Sequence, residues 1–190
     1  VGAHYAHFGG VSPLNGINRT LVERIRAELN VRGEVIPVLW GNRNWDPYLT
    51  DALRQARELG ATRIFAFLTS AYSSYSGCRQ YRENLFDALT EVQGNPHAGP
   101  EAGPWTPQVH KLATYFNRTG FVTPMIDATR ASLAELPEGS RLVFTTHSIP
   151  TADADRCDYV AQHRDVAAVI AGALGREDQW DLVYQSRSGA

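Results

Sequence analysis

A histidine stands directly after an apolar run in the second half of the chain. The run RLVFTT (residues 141–146) has the β-branched and aromatic composition of a buried strand, and His147 follows it. Histidine side chains titrate close to neutral pH and also bind metals through a ring nitrogen. His147 is therefore a candidate for proton transfer or metal binding. A structural histidine, hydrogen-bonded at a strand end, is an equal alternative from the residues alone.

A second candidate segment combines hydroxyl groups with aromatic rings. The sequence TSAYSSYSGC (residues 69–78) follows the apolar run RIFAFL and contains Tyr72, Ser73 and Tyr75. Such side chains can enclose a flat, partly polar ligand by ring stacking and hydrogen bonding. A serine-rich loop ahead of a helix is the alternative, and composition alone favours it.

Further polar residues lie at other turns of the chain. Ser12 precedes the first predicted helix, where a hydroxyl and free backbone N–H groups either bind a carboxylate or cap the helix. Arg43 follows a predicted strand, and it either binds a carboxylate with two hydrogen bonds or pairs with a surface acid. Gln185 and Ser186 end the last predicted strand.

The remaining histidines and the cysteines show no metal-ligand spacing. Cys78 and Cys157 form no CxxC pair and cannot hold zinc alone. The turn GGVSPLN lacks the spacing of a dinucleotide fingerprint, and no P-loop lysine follows it. We interpret the other histidines as surface or loop residues: His4, His7, His97, His110 and His163.

Strands and helices alternate between these segments. Apolar periodicity predicts helices over residues 14–29, 81–92, 123–136 and 159–174, and one that starts at Asp46-Pro47 and stops at Gly60. Strands are predicted over residues 34–40, 63–68, 110–115, 141–146 and 180–185. This alternation predicts βαβ crossovers, an α/β fold class and parallel sheets covered by helices. Ligands of such folds bind beyond the carboxyl ends of the strands.

Bulk composition excludes several classes of protein. The 190 residues are 43% hydrophobic and 20% charged, which is ordinary for a globular protein. A formal net charge of -2 gives no electrostatic reason to expect nucleic acid as a partner. No apolar run reaches the roughly 20 residues of a transmembrane helix, and no signal segment opens the chain. The 2 cysteines fit a reducing cytoplasm.

Five segments, taken together, resemble the ferrochelatase family. They occur in the family's order and spacing: HFGGVSPLN, GNRNWDPYLTDAL, TSAYSSYSGCRQYREN, FTTHSIP and YQSRSG. The resemblance implies two similar Rossmann-like domains with parallel sheets flanked by helices and a porphyrin cleft between them. Residues 1–116 would form the first domain without its opening strand, and residues 117–190 the beginning of the second. Both domains would be incomplete, and a chain of about half the family length is expected to be inactive alone.

The resemblance also implies an activity, the insertion of Fe²⁺ into coproporphyrin III or protoporphyrin IX in haem biosynthesis. The form GCRQYREN is most similar to bacterial members that use coproporphyrin III. His147 matches the family's active-site histidine, which accepts pyrrole protons or handles the iron. Ser12 matches a serine that contacts a propionate. The other expected substrate contacts are Arg43, Tyr72, Ser73, Tyr75, Gln185 and Ser186.

Cys78 matches an isolated ligand of the iron–sulfur cluster that some family members contain. A 2Fe–2S cluster is usually held by four thiolates, so a cluster is expected in the full-length protein and not in this chain alone. Ala71 stands where some members carry a second active-site histidine. A glutamate and three cluster cysteines of the family would lie beyond Ala190.

The expected partners are therefore a porphyrin and ferrous iron, for a monomer in the cytoplasm with no nucleic acid and no transmembrane segment. Two alternatives stay open. One is a chelatase for another metal and tetrapyrrole, and the other is a porphyrin- or haem-binding module without turnover.

Overall fold

The computed structural model describes residues 6–7, 9–75, 79–93 and 105–186. The chain divides into two compact units, each made of two segments. The first unit comprises Val1–Ala61 and Leu85–Thr106, and the second comprises Thr62–Asn84 and Pro107–Ala190. The units interleave along the chain, whereas the domains expected from the family are contiguous, and the domain boundary at residue 116 stays a prediction.

Two helices lie within residues 9–62. Helix α1 (Leu14–Val31) begins at the predicted residue and runs two residues beyond Leu29. Helix α2 (Leu49–Glu58) buries Leu53 and Ala56 and is followed by Gly60, whose positive φ of 67° suits glycine. The apolar periodicity of both segments therefore predicted the helices correctly.

The predicted strand over residues 34–40 is wrong. The segment forms no strand, and the Val35 side chain is 94% exposed. Pro37 has no N–H to give to a ladder, and the Val38 carbonyl accepts a hydrogen bond from the Arg26 guanidinium instead of from a neighbouring strand. An apolar run becomes a strand only where another strand pairs with it.

The predicted start of α2 at Asp46-Pro47 is also wrong, because the helix begins at Leu49. Asn42 holds the backbone ahead of it, since its N–H donates to the Pro47 carbonyl at 2.6 Å and its carbonyl accepts from Leu49 N–H at 3.1 Å. The Asp51 carboxylate accepts from Tyr48 N–H at 3.1 Å and so caps the helix at Tyr48.

The described residues of the second unit form two pairs of parallel strands. Strand β1 (Arg63–Ala66) pairs with β2 (Gln108–Lys111), with Arg63 opposite Gln108. Strand β3 (Leu142–His147) pairs with β4 (Trp180–Gln185), with His147 opposite Gln185. Strand β2 is shifted two residues towards the N-terminus from its predicted start at His110. The other three strands match their predictions closely, and the parallel pairing confirms the predicted α/β class.

Helices connect these strands. Helix α3 (Tyr81–Gln93) follows β1, α4 (Thr119–Ala134) follows β2, and α6 (Tyr159–Ala173) crosses from β3 to β4. The short helix α5 (Thr151–Ala154) was not predicted, because four residues are too few to show apolar periodicity. Within the described part of the chain, none of the helices is long and apolar enough to cross a lipid bilayer.

The core of the second unit lies between α4 and α6. Val122 from α4 and Val166 and Ile170 from α6 are buried, and Ile170 is only 1% exposed. Partly buried aromatic residues pack against them: Tyr72, Phe116, Phe121 and Phe144. Because Phe144 belongs to β3, this core fixes α6 against the strand that ends in His147.

Candidate active site

Three of the residues proposed from the sequence meet at the carboxyl ends of β3 and β4. His147 is the last residue of β3 and lies opposite Gln185, the last residue of β4. Ser148 N–H donates to the Gln185 carbonyl at 2.8 Å, which extends the pairing one residue further. His147, Gln185 and Ser186 are all exposed, so this edge of the second unit presents an imidazole, an amide and a hydroxyl to solvent.

A buried tyrosine forms hydrogen bonds to the end of β3. Tyr159, at the start of α6, is 8% exposed, and its hydroxyl donates to the His147 carbonyl at 3.0 Å. The Thr146 hydroxyl, on a residue that is 5% exposed, lies 2.7 Å from the same Tyr159 oxygen. Since the tyrosine has one hydroxyl proton, Thr146 is the donor in that second bond. No signal in the sequence marked Tyr159 as more than a helix residue.

The loop that carries Tyr72, Ser73 and Tyr75 is fixed by the same turn of α6. Ser73 N–H donates to the Gln162 Oε1 atom at 2.7 Å, and Gln162 is 7% exposed. The Tyr72 ring stacks on His163, with ring centroids 3.6 Å apart and planes 18° from parallel. Burial raises the pKa of Tyr72, and the neighbouring Tyr159 raises it further. The Tyr72 ring thus packs against α6, whereas Tyr75 is 44% exposed.

His163 was interpreted as a surface or loop residue, and that interpretation is wrong. The residue lies in α6, half-buried, with its ring against Tyr72. Its Nδ1 donates to the Tyr159 carbonyl 2.8 Å away, which fixes the tautomer of the neutral ring. Burial lowers the pKa of His163, and the hydrogen bond to Tyr159 opposes that shift. No sequence pattern indicates this environment, because the stacking partner of His163 lies 91 residues earlier in the chain.

The first unit holds Ser12 and Arg43. The Ser12 hydroxyl accepts from Leu14 N–H at 3.3 Å, and the residue is exposed. Pro13, not Ser12, is the N-cap of α1, and no side chain caps the helix. Arg43 is half-buried, and its Nε lies 3.5 Å from the Asn44 side-chain oxygen. Their contacts with a ligand carboxylate stay a prediction.

Two asparagines that the sequence analysis did not single out join the segments of Ser12 and Arg43. Asn42 donates its side-chain amide to the Asn15 oxygen at 3.3 Å, and Asn15 donates in turn to the Asp46 carbonyl at 3.2 Å. Gly41 lets the backbone approach the start of α2, because a Cβ there would lie 2.8 Å from the Leu49 Cα atom. The motifs GGVSPLN and GNRNWD therefore form one locally bonded surface of the first unit.

A separate apolar pocket of about 260 Å³ lies beside the core of the second unit. None of the candidate site residues lines it; its walls come from α4, α6 and the segment before α4, and include Phe116, Val122, Ile126, Asp165 and Val169. The pocket is thus not the site to which the sequence points.

One of the two cysteines lies among the described residues. Cys78 lies outside the described residues. The Cys157 thiol donates to the Asp153 carbonyl at 3.1 Å. Within residues 6–7, 9–75, 79–93 and 105–186, no group of three His, Cys, Asp or Glu side chains is arranged to hold a metal ion.

Comparison with known proteins decides the family. The family model described as Ferrochelatase matches residues 1–190. The chain belongs to the ferrochelatase family. Proteins named coproporphyrin III ferrochelatase from Streptomyces griseus and Streptomyces coelicolor are each 50% identical to it over 208 residues, which cover 100% of this chain and 54% of theirs. A protein named ferrochelatase from Rhodopirellula baltica is 45% identical over 192 residues, covering 100% of this chain and 52% of its own.

The chain thus spans about half the length of the curated relatives it matches. The family assignment confirms the resemblance seen in the five motifs. The roles of the individual site residues are proposals, because the comparisons match the chain as a whole.

Proposed function

We propose that the protein inserts Fe²⁺ into coproporphyrin III during haem biosynthesis, with His147 as its catalytic residue in this chain. The observation that carries the proposal is the exposed His147 at the carboxyl end of β3, in a chain of the ferrochelatase family. Relatives that bear the name coproporphyrin III ferrochelatase support the choice of porphyrin.

Metal insertion requires a base near the porphyrin nitrogens. Fe²⁺ enters as two pyrrole N–H protons leave, so the reaction releases two protons and leaves the oxidation state of iron unchanged. An imidazole can accept these protons one after the other and pass each to water. The exposed ring of His147 is open to both solvent and substrate, and the hydrogen-bonded backbone beneath it fixes its position. Ferrous iron is a substrate in this scheme, and the ring nitrogen can also contact it as it sheds water.

We assign the orientation of the substrate to the other polar residues of the proposed site. The four-carboxylate porphyrin needs hydrogen-bond donors at its rim, which Ser12 and Arg43 can supply. Tyr75, Gln185 and Ser186 offer a ring, an amide and a hydroxyl beside the macrocycle. Tyr72 and Ser73, also expected as substrate contacts, support the proposed site through their bonds to α6.

The test uses the intact protein, incubated anaerobically with Fe²⁺ and coproporphyrin III, and follows the shift of the Soret band on metallation. His147→Ala should remove most of the turnover and leave porphyrin affinity within a few-fold. His110→Ala is the matched control, because His110 is an exposed histidine on β2, which pairs with β1 and not with β3 or β4. Near-normal turnover of His147→Ala would remove His147 from the reaction.

The same assay separates the alternatives. A wild-type protein that binds coproporphyrin III without metallating it is a binding module. One that turns over with Co²⁺ or Ni²⁺ and not with Fe²⁺ is a chelatase for another metal.

We further propose that Cys78 contributes one thiolate to a 2Fe–2S cluster of the intact protein. This chain alone does not fit the cluster, because it contains 2 cysteines and the Cys157 thiol is bonded to a helix carbonyl. The other thiolates must then come from the rest of the protein. Cys78→Ser should abolish the visible absorption of the anaerobically isolated protein, and Cys157→Ser should preserve it. A protein without iron and sulfide would refute the cluster and leave the chelatase proposal intact.

We propose, finally, that the protein acts as a monomer in the cytoplasm. The low cysteine content suits a reducing compartment. Light scattering on the intact protein tests the monomer, and cell fractionation tests the compartment.

A further inference from the structure

The peptide group that follows His147 is held at both of its polar atoms. Its carbonyl oxygen, on His147, accepts the Tyr159 hydroxyl at 3.0 Å. Its N–H, on Ser148, donates to the Gln185 carbonyl at 2.8 Å. These two bonds fix the plane of the peptide and therefore the ψ angle of His147. They also set the direction in which the Cα–Cβ bond of His147 leaves the backbone.

The residue before His147 is held by the same tyrosine. The Thr146 hydroxyl donates to the Tyr159 oxygen over 2.7 Å, and both side chains are more than nine-tenths buried. Tyr159 thus contacts the backbone carbonyl of His147 and the side chain of the preceding residue, Thr146. One buried hydroxyl is bonded twice within two residues of the proposed catalytic group.

Packing alone does not explain that hydroxyl. The Tyr159 ring lies against His163, with centroids 4.2 Å apart, and a phenylalanine ring would fill the same space. A buried hydroxyl is unfavourable unless it is hydrogen-bonded, so a core position without a further role is served as well by phenylalanine. Both bonds made by the hydroxyl go to the end of β3.

We propose that Tyr159 is a positioning residue for His147. It acts through the backbone, by holding the 147–148 peptide so that the imidazole points to one place at the edge of the sheet. The inference rests on the proposed function, since it assigns Tyr159 a role in the reaction only if His147 acts there. Misplacement of a reacting group by a fraction of an ångström to an ångström lowers turnover far more than substrate affinity.

The test is Tyr159→Phe in the intact protein, assayed with Fe²⁺ and coproporphyrin III. We expect kcat to fall about tenfold while KM for the porphyrin stays within about twofold. Thr146→Val is the graded companion, because it removes one bond to the tyrosine and leaves the bond to the His147 carbonyl. Its kcat should fall by less than that of Tyr159→Phe. A Tyr159→Phe variant with wild-type kcat, or with kcat and porphyrin affinity reduced together, would overturn the inference.

A double-mutant cycle with His147→Ala separates positioning from general support of the fold. In single turnovers with enzyme in excess, adding Tyr159→Phe to His147→Ala should change the residual rate less than twofold, because no imidazole is left to misplace. An equal loss with and without His147 would make Tyr159 a purely structural residue. If the residual rate of His147→Ala is undetectable, the test is whether Tyr159→Phe lowers kcat without changing KM. If Tyr159→Phe does not fold, the same comparison of kcat with KM is made on Thr146→Val.

The outcome also separates this inference from the proposed function. Normal turnover of His147→Ala would refute the catalytic role of the histidine and the role of Tyr159 with it. Lost turnover of His147→Ala beside a normal Tyr159→Phe would refute the positioning role alone.

Discussion

The hydrogen bond between Gln162 and Ser73 gives a quantitative prediction about the loop of the proposed site. Gln162 is 7% exposed, and its Oε1 accepts from Ser73 N–H at 2.7 Å. Gln162→Met keeps an unbranched side chain of similar length and removes this acceptor. Loss of a buried hydrogen-bond partner costs about 1–3 kcal/mol. A local loss of about 1.4 kcal/mol raises the population of the open loop about tenfold.

Native-state hydrogen exchange measures that population directly. We expect the Ser73 amide, in the peptide over residues 69–75, to exchange about tenfold faster in Gln162→Met than in the wild type. Peptides from β3 and β4 should exchange at unchanged rates. Arg164→Met, an exposed substitution two residues along α6, is the matched control and should leave the loop unchanged. Unchanged exchange of the Ser73 amide in Gln162→Met would refute the view that α6 holds this loop.

Three further predictions concern other parts of the chain. Ser12→Ala should raise KM for coproporphyrin about fivefold, by about 1 kcal/mol, and porphyrins esterified at the propionates should show no such change. Because burial lowers the pKa of His163, the unfolded chain binds the proton more readily, so stability should be full above the unfolded pKa of about 6.5 and fall as pH decreases through the interval down to the lowered folded pKa. His163→Phe keeps a ring against Tyr72 and should flatten Tm against pH there; an unchanged slope would contradict the assignment. Gly41→Ala should destabilise the first unit by about 1–3 kcal/mol in thermal unfolding, because its Cβ would meet the backbone of Leu49 at 2.8 Å. A wild-type Tm would contradict that steric argument.

The sequence predicted those elements whose residues carry their own pattern. Helix α6 begins at the predicted Tyr159, and β4 has its predicted bounds, because apolar periodicity and strand composition are local properties. The segment 34–40 has the same kind of composition and yet forms no strand. Its structure depends on a pairing partner, which composition does not report.

The site divides in the same way. His147 could be found from its position after an apolar strand, since the carboxyl ends of parallel strands are where ligands bind. The α6 residues Tyr159, Gln162 and His163 could not be found in this way, because they look like ordinary members of an amphipathic helix. Their contacts with Ser73 and Tyr72 cross about 90 residues of sequence, and only the folded backbone brings these partners together.

The first turn of α6 has a consequence for redesign. The buried side chains of Tyr159 and Gln162 and the half-buried ring of His163 hold two segments that carry exposed residues. The residues that hold these backbone segments in place are therefore different from the residues that are exposed on them. Exchanges at the exposed residues Tyr75, Gln185 or Ser186 should carry little penalty in folding, and under the proposed function they should alter substrate preference. A library confined to these exposed positions should yield mostly folded proteins, whereas one that randomises the helix turn should not.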